Sequence, residues 1–207
     1  MENLKFSLNL YKKVEIKIKI MNFKLILSIL LFFKFCIGFS QIYTGEIINK
    51  ANDTLAVKIE IKGNPTFHNS KILSLMNRVS VISGDASIDY YPKDLKSFKI
   101  EIDDKIHIFD NINDSEFAER LYANKVKLYY KLVSNGALYR IFMIIKPNGE
   151  IKNLFPNGFS RMITQKEMLK HFTDCQITHT KIEKDELKIK NEENLIQFAK
   201  DYETNCF

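Results

Sequence analysis

No Gly-x-Ser-x-Gly occurs anywhere in this chain, nor a P-loop, nor a glycine-rich dinucleotide turn, and seven glycines in 207 residues leave little to build one from. Those absences exclude a nucleophile elbow, phosphate cradling by a Walker-type loop and Rossmann-type cofactor binding. A membrane-spanning run is missing too: the apolar stretch Leu25 to Phe33 covers nine residues and stops at Lys34, whereas a spanning helix needs about 20. An excess of one charge sign is also absent once the charges are placed. Residues 1–40 carry seven lysines against Glu2 and Glu15, a net of +5 out of the total of +6. The remainder holds 24 basic and 23 acidic residues, with Lys and Glu alternating rather than clustered, so it presents no field to attract phosphate. Nucleic acid is excluded as a partner on that ground.

What the chain does have begins with a leader. Met21 and Asn22 are followed by Phe23, Lys24, the apolar run, and then Gly38-Phe39-Ser40-Gln41. Small residues at positions minus three and minus one are what a signal peptidase requires, so residues 21–40 are expected to be a signal peptide cleaved between Ser40 and Gln41. No stable membrane span is expected after cleavage; the alternative is an uncleaved anchor, which the shortness of the run opposes. Cys36 does not read as a lipid-attachment site, because Lys34 and Phe35 are bulky. Residues 1–20 precede a Met that already opens a complete signal peptide and are expected to be an upstream extension outside the fold. The expected location is exported: periplasmic, envelope-associated or secreted. Residues 41–207 suit a single domain with one core.

The mature segment reads first in period two. Leu55, Val57, Ile59 and Ile61 alternate with Ala56, Lys58, Glu60 and Lys62, and Ile42 to Ile48 precedes them across a turn-rich Asn49 to Thr54, which predicts a hairpin. Phe98, Ile100 and Ile102 alternate with Lys99, Glu101 and Asp103 and return through Ile106 to Phe109, a second hairpin, with His107 assigned to the polar face and hence to solvent. Val126, Leu128, Tyr130 and Leu132 oppose Lys127, Tyr129 and Lys131 after a less regular Phe117 to Tyr122. Leu138 to Ile145 is nearly continuously apolar, as in a strand covered on both faces, and is expected to be central; Pro147-Asn148-Gly149 turns it into Ile151 to Phe155. Residues 70–83 fit a helix through Ile72, Leu75, Met76 and Val79, or a strand through Val79 and Val81.

After Phe159 the period becomes helical. Thr164 and Glu167 form a capping box flanked by the staple pair Ile163 and Met168, so a helix over about 164–175 is expected. A last helix over about 192–204 places Leu195, Phe198, Ala199 and Tyr202 on one stripe, with Glu192 and Glu193 at the positive end of its dipole.

Two cysteines remain in the mature segment. In an oxidising compartment an even count favours a disulfide between Cys175 and Cys206, worth about 3 to 4 kcal/mol for a loop of about 30 residues in the chain-entropy model; two free thiols are the alternative. His171, Cys175 and His179 are spaced four apart and would form a metal site on one continuous helix, but β-branched Ile177, Thr178 and Thr180 argue that the apolar stripe ends at Phe172. No catalytic residue, metal or cofactor is therefore assigned. Asp103 with Asp104 and Asp110 with Asp114 read as turn acids rather than paired catalytic carboxylates, and Asp110 to Glu116 lacks the glycine of a calcium loop.

Phe39-Ser40-Gln41, Tyr43-Thr44-Gly45-Glu46-Ile47, Asp53-Thr54-Leu55, Leu128-Tyr129-Tyr130, Asp174-Cys175 and Tyr202 with Cys206 resemble exported proteins of Bacteroidota whose function is unknown. The resemblance implies a periplasmic or envelope location and a β domain with C-terminal helices, and carries over no active residues. The expected fold is α+β and mostly β: an antiparallel meander forming a half-barrel or curved sheet, followed by two C-terminal helices. The expected function is a non-catalytic exported binding or envelope-associated module, with Tyr129 and Tyr139 as exposed tyrosines and an envelope protein or glycan as partner. A secreted hydrolase assembled only in three dimensions and a small outer-membrane barrel are the alternatives.

Overall fold

The computed structural model describes residues 41–61, 68–135, 137–156 and 163–207, which belong to one compact unit, Ser40–Phe207. The leader assignments, including the Ser40 side of the cleavage site, lie outside the described residues. In chain order the elements are β1 (Gln41–Asn49), β2 (Thr54–Ile61), α1 (His68–Leu75), β3 (Val79–Ser83), β4 (Ala86–Tyr90), β5 (Leu95–Ile102), β6 (Lys105–Ile112), β7 (Glu116–Ala123), β8 (Lys127–Asn135), β9 (Ala137–Ile145), β10 (Ile151–Leu154), α2 (Gln165–His171), α3 (Gln176–Glu183) and α4 (Glu192–Cys206). All described strand pairings are antiparallel. They build one open sheet in the order β10-β9-β8-β7-β6-β5-β1-β2-β3-β4. The chain is thus mostly β, with helices at the C-terminus.

Local chemistry sets the turns. Asp103 and Asp104 both take positive φ, joining Ile102 to Lys105 by a two-residue loop, a conformation Asp tolerates better than most residues. Gly84 fills the first loop position between Ser83 and Ala86 with φ 61. Gly149, with φ 85, donates its N–H to the Lys146 carbonyl and closes the Pro147-Asn148-Gly149 turn. Gly45 matters for a different reason. A Cβ there would lie 2.5 Å from the Lys99 carbonyl oxygen and 2.6 Å from Ile59 Cδ1, so β1 approaches its neighbours at a distance only glycine permits.

One face of the sheet carries the core. Ile47, Ile59, Phe98, Ile100, Ile102, Phe109, Phe117, Leu128 and Ile144 are buried there with Ile72 and Leu75 of α1 and Leu195, Phe198 and Tyr202 of α4. α1 touches both β2 and β8. Thr164 caps α2 by accepting from the Glu167 N–H at 3.2 Å, and Asn191 caps α4 by accepting from the Asn194 N–H at 2.8 Å.

Four points differ from the sequence-based expectation. Residues 70–83 are not one element: they divide into α1 and β3. The helix expected over 164–175 ends at His171, and an additional helix, α3, follows it. β4 was not anticipated, because Ala86-Ser87-Ile88-Asp89-Tyr90 is an edge strand with most of its side chains exposed or half-buried, and so shows no clean alternation. β9 is second from the sheet edge rather than central. Its doubly apolar character comes from a second cluster, Ile112, Ala118, Tyr129 and Met143 with Ile145 beside it, on the face opposite the core. Apolarity on both faces reports burial, not position in the strand order.

Candidate functional site

Four consecutive strands carry a polar line from the core to the surface. The register pairs Ile100 with His107 and Phe98 with Phe109, so His107 shares the core face. Phe109 is paired with Glu119 across β6 and β7, and Glu119 with Tyr130 across β7 and β8. His107 Nδ1 and Glu119 Oε1 are 2.7 Å apart, with side chains only 2% and 4% exposed. Phe98 stacks on Phe109 at 4.7 Å and meets Phe117 edge-on at 4.9 Å in the same core. Burial, and then the Glu119 carboxylate, push the Tyr130 hydroxyl pKa well above its ordinary value. The Arg140 guanidinium of β9 lies 5.8 Å from the centre of the Tyr130 ring. An imidazole 2% exposed offers no approach to a substrate. His107 is therefore not the solvated residue expected from its strand: burial and the Glu119 partner replace water around it.

On the opposite face Arg120 grips Asp110 with Nε at 2.7 Å and Nη2 at 2.5 Å, and the Tyr129 hydroxyl donates to Asp110 Oδ2 at 2.8 Å. Asp110 first of all holds the Arg120 guanidinium above its usual range. Tyr129, expected to be exposed, is buried within the second apolar cluster, whereas Tyr139 is 51% exposed. The calcium-like stretch disperses its ligands: Asp110 goes to Arg120, Asp114 to Lys50, and Asn111 Nδ2 to the Pro92 and Leu95 carbonyls at 2.6 and 3.1 Å. Among the described residues no group of three or more His, Cys, Asp or Glu is placed to hold a metal ion.

The C-terminal helices are anchored by a third set. Cys175, at the N-cap of α3, is disulfide-bonded to Cys206, the last residue of α4, with Cα atoms 5.7 Å apart. That bond commits the sulfur which the His171, Cys175 and His179 spacing offered to a metal. The two histidines also lie on different helices, His171 bonded to Glu167 at 3.1 Å and His179 facing Glu183 at 3.6 Å. Beside the disulfide, Lys146 Nζ, 3% exposed along its side chain, contacts Asp174 Oδ2 at 2.7 Å and Glu150 Oε2 at 2.8 Å. The Tyr202 hydroxyl donates to the same Asp174 oxygen at 2.6 Å. Partial burial would raise the Asp174 carboxyl pKa, but hydrogen bonds from Lys146 and Tyr202 outweigh it and hold the group below the usual carboxylate range. Burial likewise works against the charged Lys146, and Asp174 and Glu150 overcome it, so its pKa is raised.

A shallow surface hollow of about 330 Å³ lies on α3, lined by Gln176, Ile177, Thr180, Lys181, Lys184 and Glu186. No candidate site residue lines it; Ile177 and Thr180 do, the β-branched residues that argue against one continuous helix. Glu119, Lys146 and Arg120 are not among the residues the sequence singles out, and Asp110 reads there only as a turn acid. For Glu119 and for Asp110 with Arg120 the signal is cross-strand, whereas Lys146 finds Asp174 and Glu150 outside the strand ladder. Compared with protein-family models, with curated proteins and with solved structures, the chain matches none.

Proposed function

We propose that this chain is an exported, non-catalytic β-rich module that binds an envelope protein, with residues 21–40 as its signal peptide and 41–207 as one mature domain of the kind resembled among Bacteroidota. The Cys175–Cys206 disulfide supports an oxidising compartment, and among the described residues no helix is long and apolar enough to cross a membrane. The observation that carries binding is the outer side of β9 and β10. There Tyr139 is 51%, Ile151 42% and Phe155, just past β10, 55% exposed, beside half-buried Ile141 and Ile145. Aliphatic side chains around the two rings favour a protein surface over a glycan, which requires polar donors and acceptors beside the aromatic platform.

The finer architecture fits a sheet bent into a half-barrel. β2 and β8 lie five strand spacings apart in the sheet order, about 24 Å if flat, yet both touch α1, a helix of eight residues and so only about 12 Å long. Tyr90 and Leu95 are likewise joined by a link that spans at most about 18 Å, against about 19 Å across the four flat spacings between β4 and β5. The open strand order and the helices on the core face speak against a small outer-membrane barrel. A hydrolase reading requires a concave pocket that holds His107 or an acid pair, and the hollow on α3 is lined by neither.

Two measurements test the proposal. Intact mass of protein from the soluble envelope fraction should begin at Gln41 and rise by about two daltons on reduction; an uncleaved mass found only in detergent rejects export. Purified protein should co-sediment with isolated envelopes, and less so as Phe155→Lys or Tyr139→Lys. Binding that survives protease treatment of the envelopes would point to a glycan, and no co-sedimentation would reject the binding reading.

A further inference from the structure

We infer that Cys206 is a thiol-accepting site: a thiolate from outside the chain attacks its sulfur and forms a mixed disulfide there, while Cys175 leaves as the free thiolate. Exchange of this kind runs fastest at the sulfur that is more accessible and expels the thiolate that is better stabilised. Here both requirements point the same way. Cys175 is 7% exposed and belongs to the core cluster, whereas Cys206 is half-buried and is followed by exposed Phe207.

The two sulfurs also belong to opposite ends of their helices: Cys175 is the N-cap of α3, and Cys206 is the last residue of α4. A thiolate is stabilised by the unpaired N–H groups of a helix N-terminus and disfavoured by the carbonyls of a C-terminus. In the bonded state Cys175 makes no side-chain capping hydrogen bond. Once released, its thiolate occupies the position from which an N-cap side chain accepts first-turn N–H groups. Thr178, fully buried, sets its hydroxyl 3.5 Å from Cys175 Sγ and 3.3 Å from Cys206 Sγ, where it can donate to the departing sulfur. The charges nearby are engaged elsewhere, Asp174 by Lys146 at 2.7 Å and Lys125 by the Phe207 carbonyl at 3.1 Å.

The step needs no reactant besides the thiol. The electron pair of the attacking thiolate forms the bond to Cys206 Sγ, the Cys175–Cys206 bond breaks, and its pair stays on Cys175 Sγ, so one disulfide is consumed and one is made. Opening the bond leaves α4 held by the Tyr202 hydroxyl on Asp174 at 2.6 Å. Glu203 holds it as well, accepting from Asn124 Nδ2 at 2.6 Å and from the Val126 N–H at 2.9 Å. The adduct is therefore carried by a folded domain, whether or not the face of β9 and β10 binds a protein.

Two probes test the site on the folded full chain: reduced glutathione, and a protein with a single exposed cysteine. Each reacts for a short time and is stopped with acid, which protonates the thiolates, and free thiols are then blocked with a maleimide. Trypsin separates the two sulfurs by cutting after Lys170, Lys181 and Lys200, and mass spectrometry compares the adduct on the two peptides. The adduct should lie on Cys206 at least about tenfold more often than on Cys175, and the preference should vanish in urea that unfolds the chain. The probe that reacts tells whether small thiols, protein thiols or both reach the site. Adducts mainly on Cys175, equal adducts on both sulfurs, no adduct before unfolding, or a preference that survives urea each overturn the inference.

Discussion

The Tyr202 hydroxyl donates to Asp174 Oδ2 at 2.6 Å, and the residue after Asp174 is the cysteine bonded to Cys206. Strand, link and helix therefore meet at one carboxylate: Lys146 reaches it from just past β9, and Tyr202 from α4. The covalent bond restricts where α4 can end, while the hydrogen bond restricts how it rotates. Tyr202→Phe keeps the ring stacked on Phe198 and edge-on to Phe172 and Phe207 and removes only the hydroxyl. Because Asp174 is partly exposed and retains Lys146, the expected loss is about 1 kcal/mol, below the range for fully buried charged hydrogen bonds. Urea unfolding under reducing and non-reducing conditions measures it.

The same carboxylate makes stability depend on pH in a defined direction. The Asp174 pKa is lowered in the fold, so its contribution is complete above the ordinary carboxylate value of 3.8 and is lost as pH falls through the depressed folded value. The Lys146 pKa is raised above 10.5, so its contribution is complete below 10.5 and is lost as pH climbs through the folded value. Thermal midpoints should therefore be level through neutrality with respect to this cluster and decline at both ends. Asp174→Asn should flatten the acid limb; an unchanged acid limb would show that Asp174 does not contribute to it.

Removing the disulfide acts mainly on the unfolded chain. The bond closes a separation of 31 residues, for which the chain-entropy relation gives about 3 to 4 kcal/mol. A Cys175→Ser, Cys206→Ser double variant should lose roughly that much, read as a shift of the denaturation midpoint. A loss below about 1 kcal/mol would mean that the polar anchor already restricts α4 in the unfolded ensemble.

How much of this was legible in the sequence follows from which periods were clean. The helical stripe of Leu195, Phe198, Ala199 and Tyr202 is clean and is buried as read, whereas on the strand face of Leu55, Val57, Ile59 and Ile61 only Ile59 and Ile61 are buried, Val57 is half-buried and Leu55 is exposed. His107 was misplaced because Ile106, Ile108 and Phe109 are all apolar, so β6 alone could not choose its face. A two-residue turn does choose: pairing Ile102 with Lys105 or with His107 leaves His107 on the face of Phe98, Ile100 and Ile102 either way. Glu119 was hidden in the irregular Phe117 to Tyr122, where the register shifts between Arg120 and Tyr122. The flanking Lys127 and Lys131 make Tyr129 read as exposed; its ring is buried by the second apolar cluster instead.

Gly45 gives a prediction that depends on packing alone. A methyl group at this position meets the backbone oxygen of Lys99 at 2.5 Å, and backbone in a paired strand has little room to retreat. Gly45→Ala should cost about 1 to 3 kcal/mol, the usual range for overpacking, and Gly45→Val more. Trimming the other contact with Ile59→Val should restore little, since Lys99 O remains. Full rescue by Ile59→Val would contradict the assignment of the clash to the backbone.

Asn111 ties the irregular link between β4 and β5 to β6, and its two ends do different work. Nδ2 donates to the carbonyls of Pro92 at 2.6 Å and Leu95 at 3.1 Å and to Asp114 Oδ1 at 2.7 Å, while Oδ1 accepts from the Asp114 N–H at 2.8 Å. Asn111→Asp preserves the acceptor that shapes the β6–β7 turn but sets a carboxylate oxygen against two carbonyl oxygens and the Asp114 carboxylate. Asn111→Ala removes both functions without adding repulsion. The aspartate variant should therefore be the less stable of the two, although it is the closer in shape, with the alanine variant losing about 1 to 3 kcal/mol for the unsatisfied carbonyls. Equilibrium denaturation ranks the pair. If the alanine variant proved the weaker, the turn contact would be the dominant one and the hold on Pro92 and Leu95 incidental.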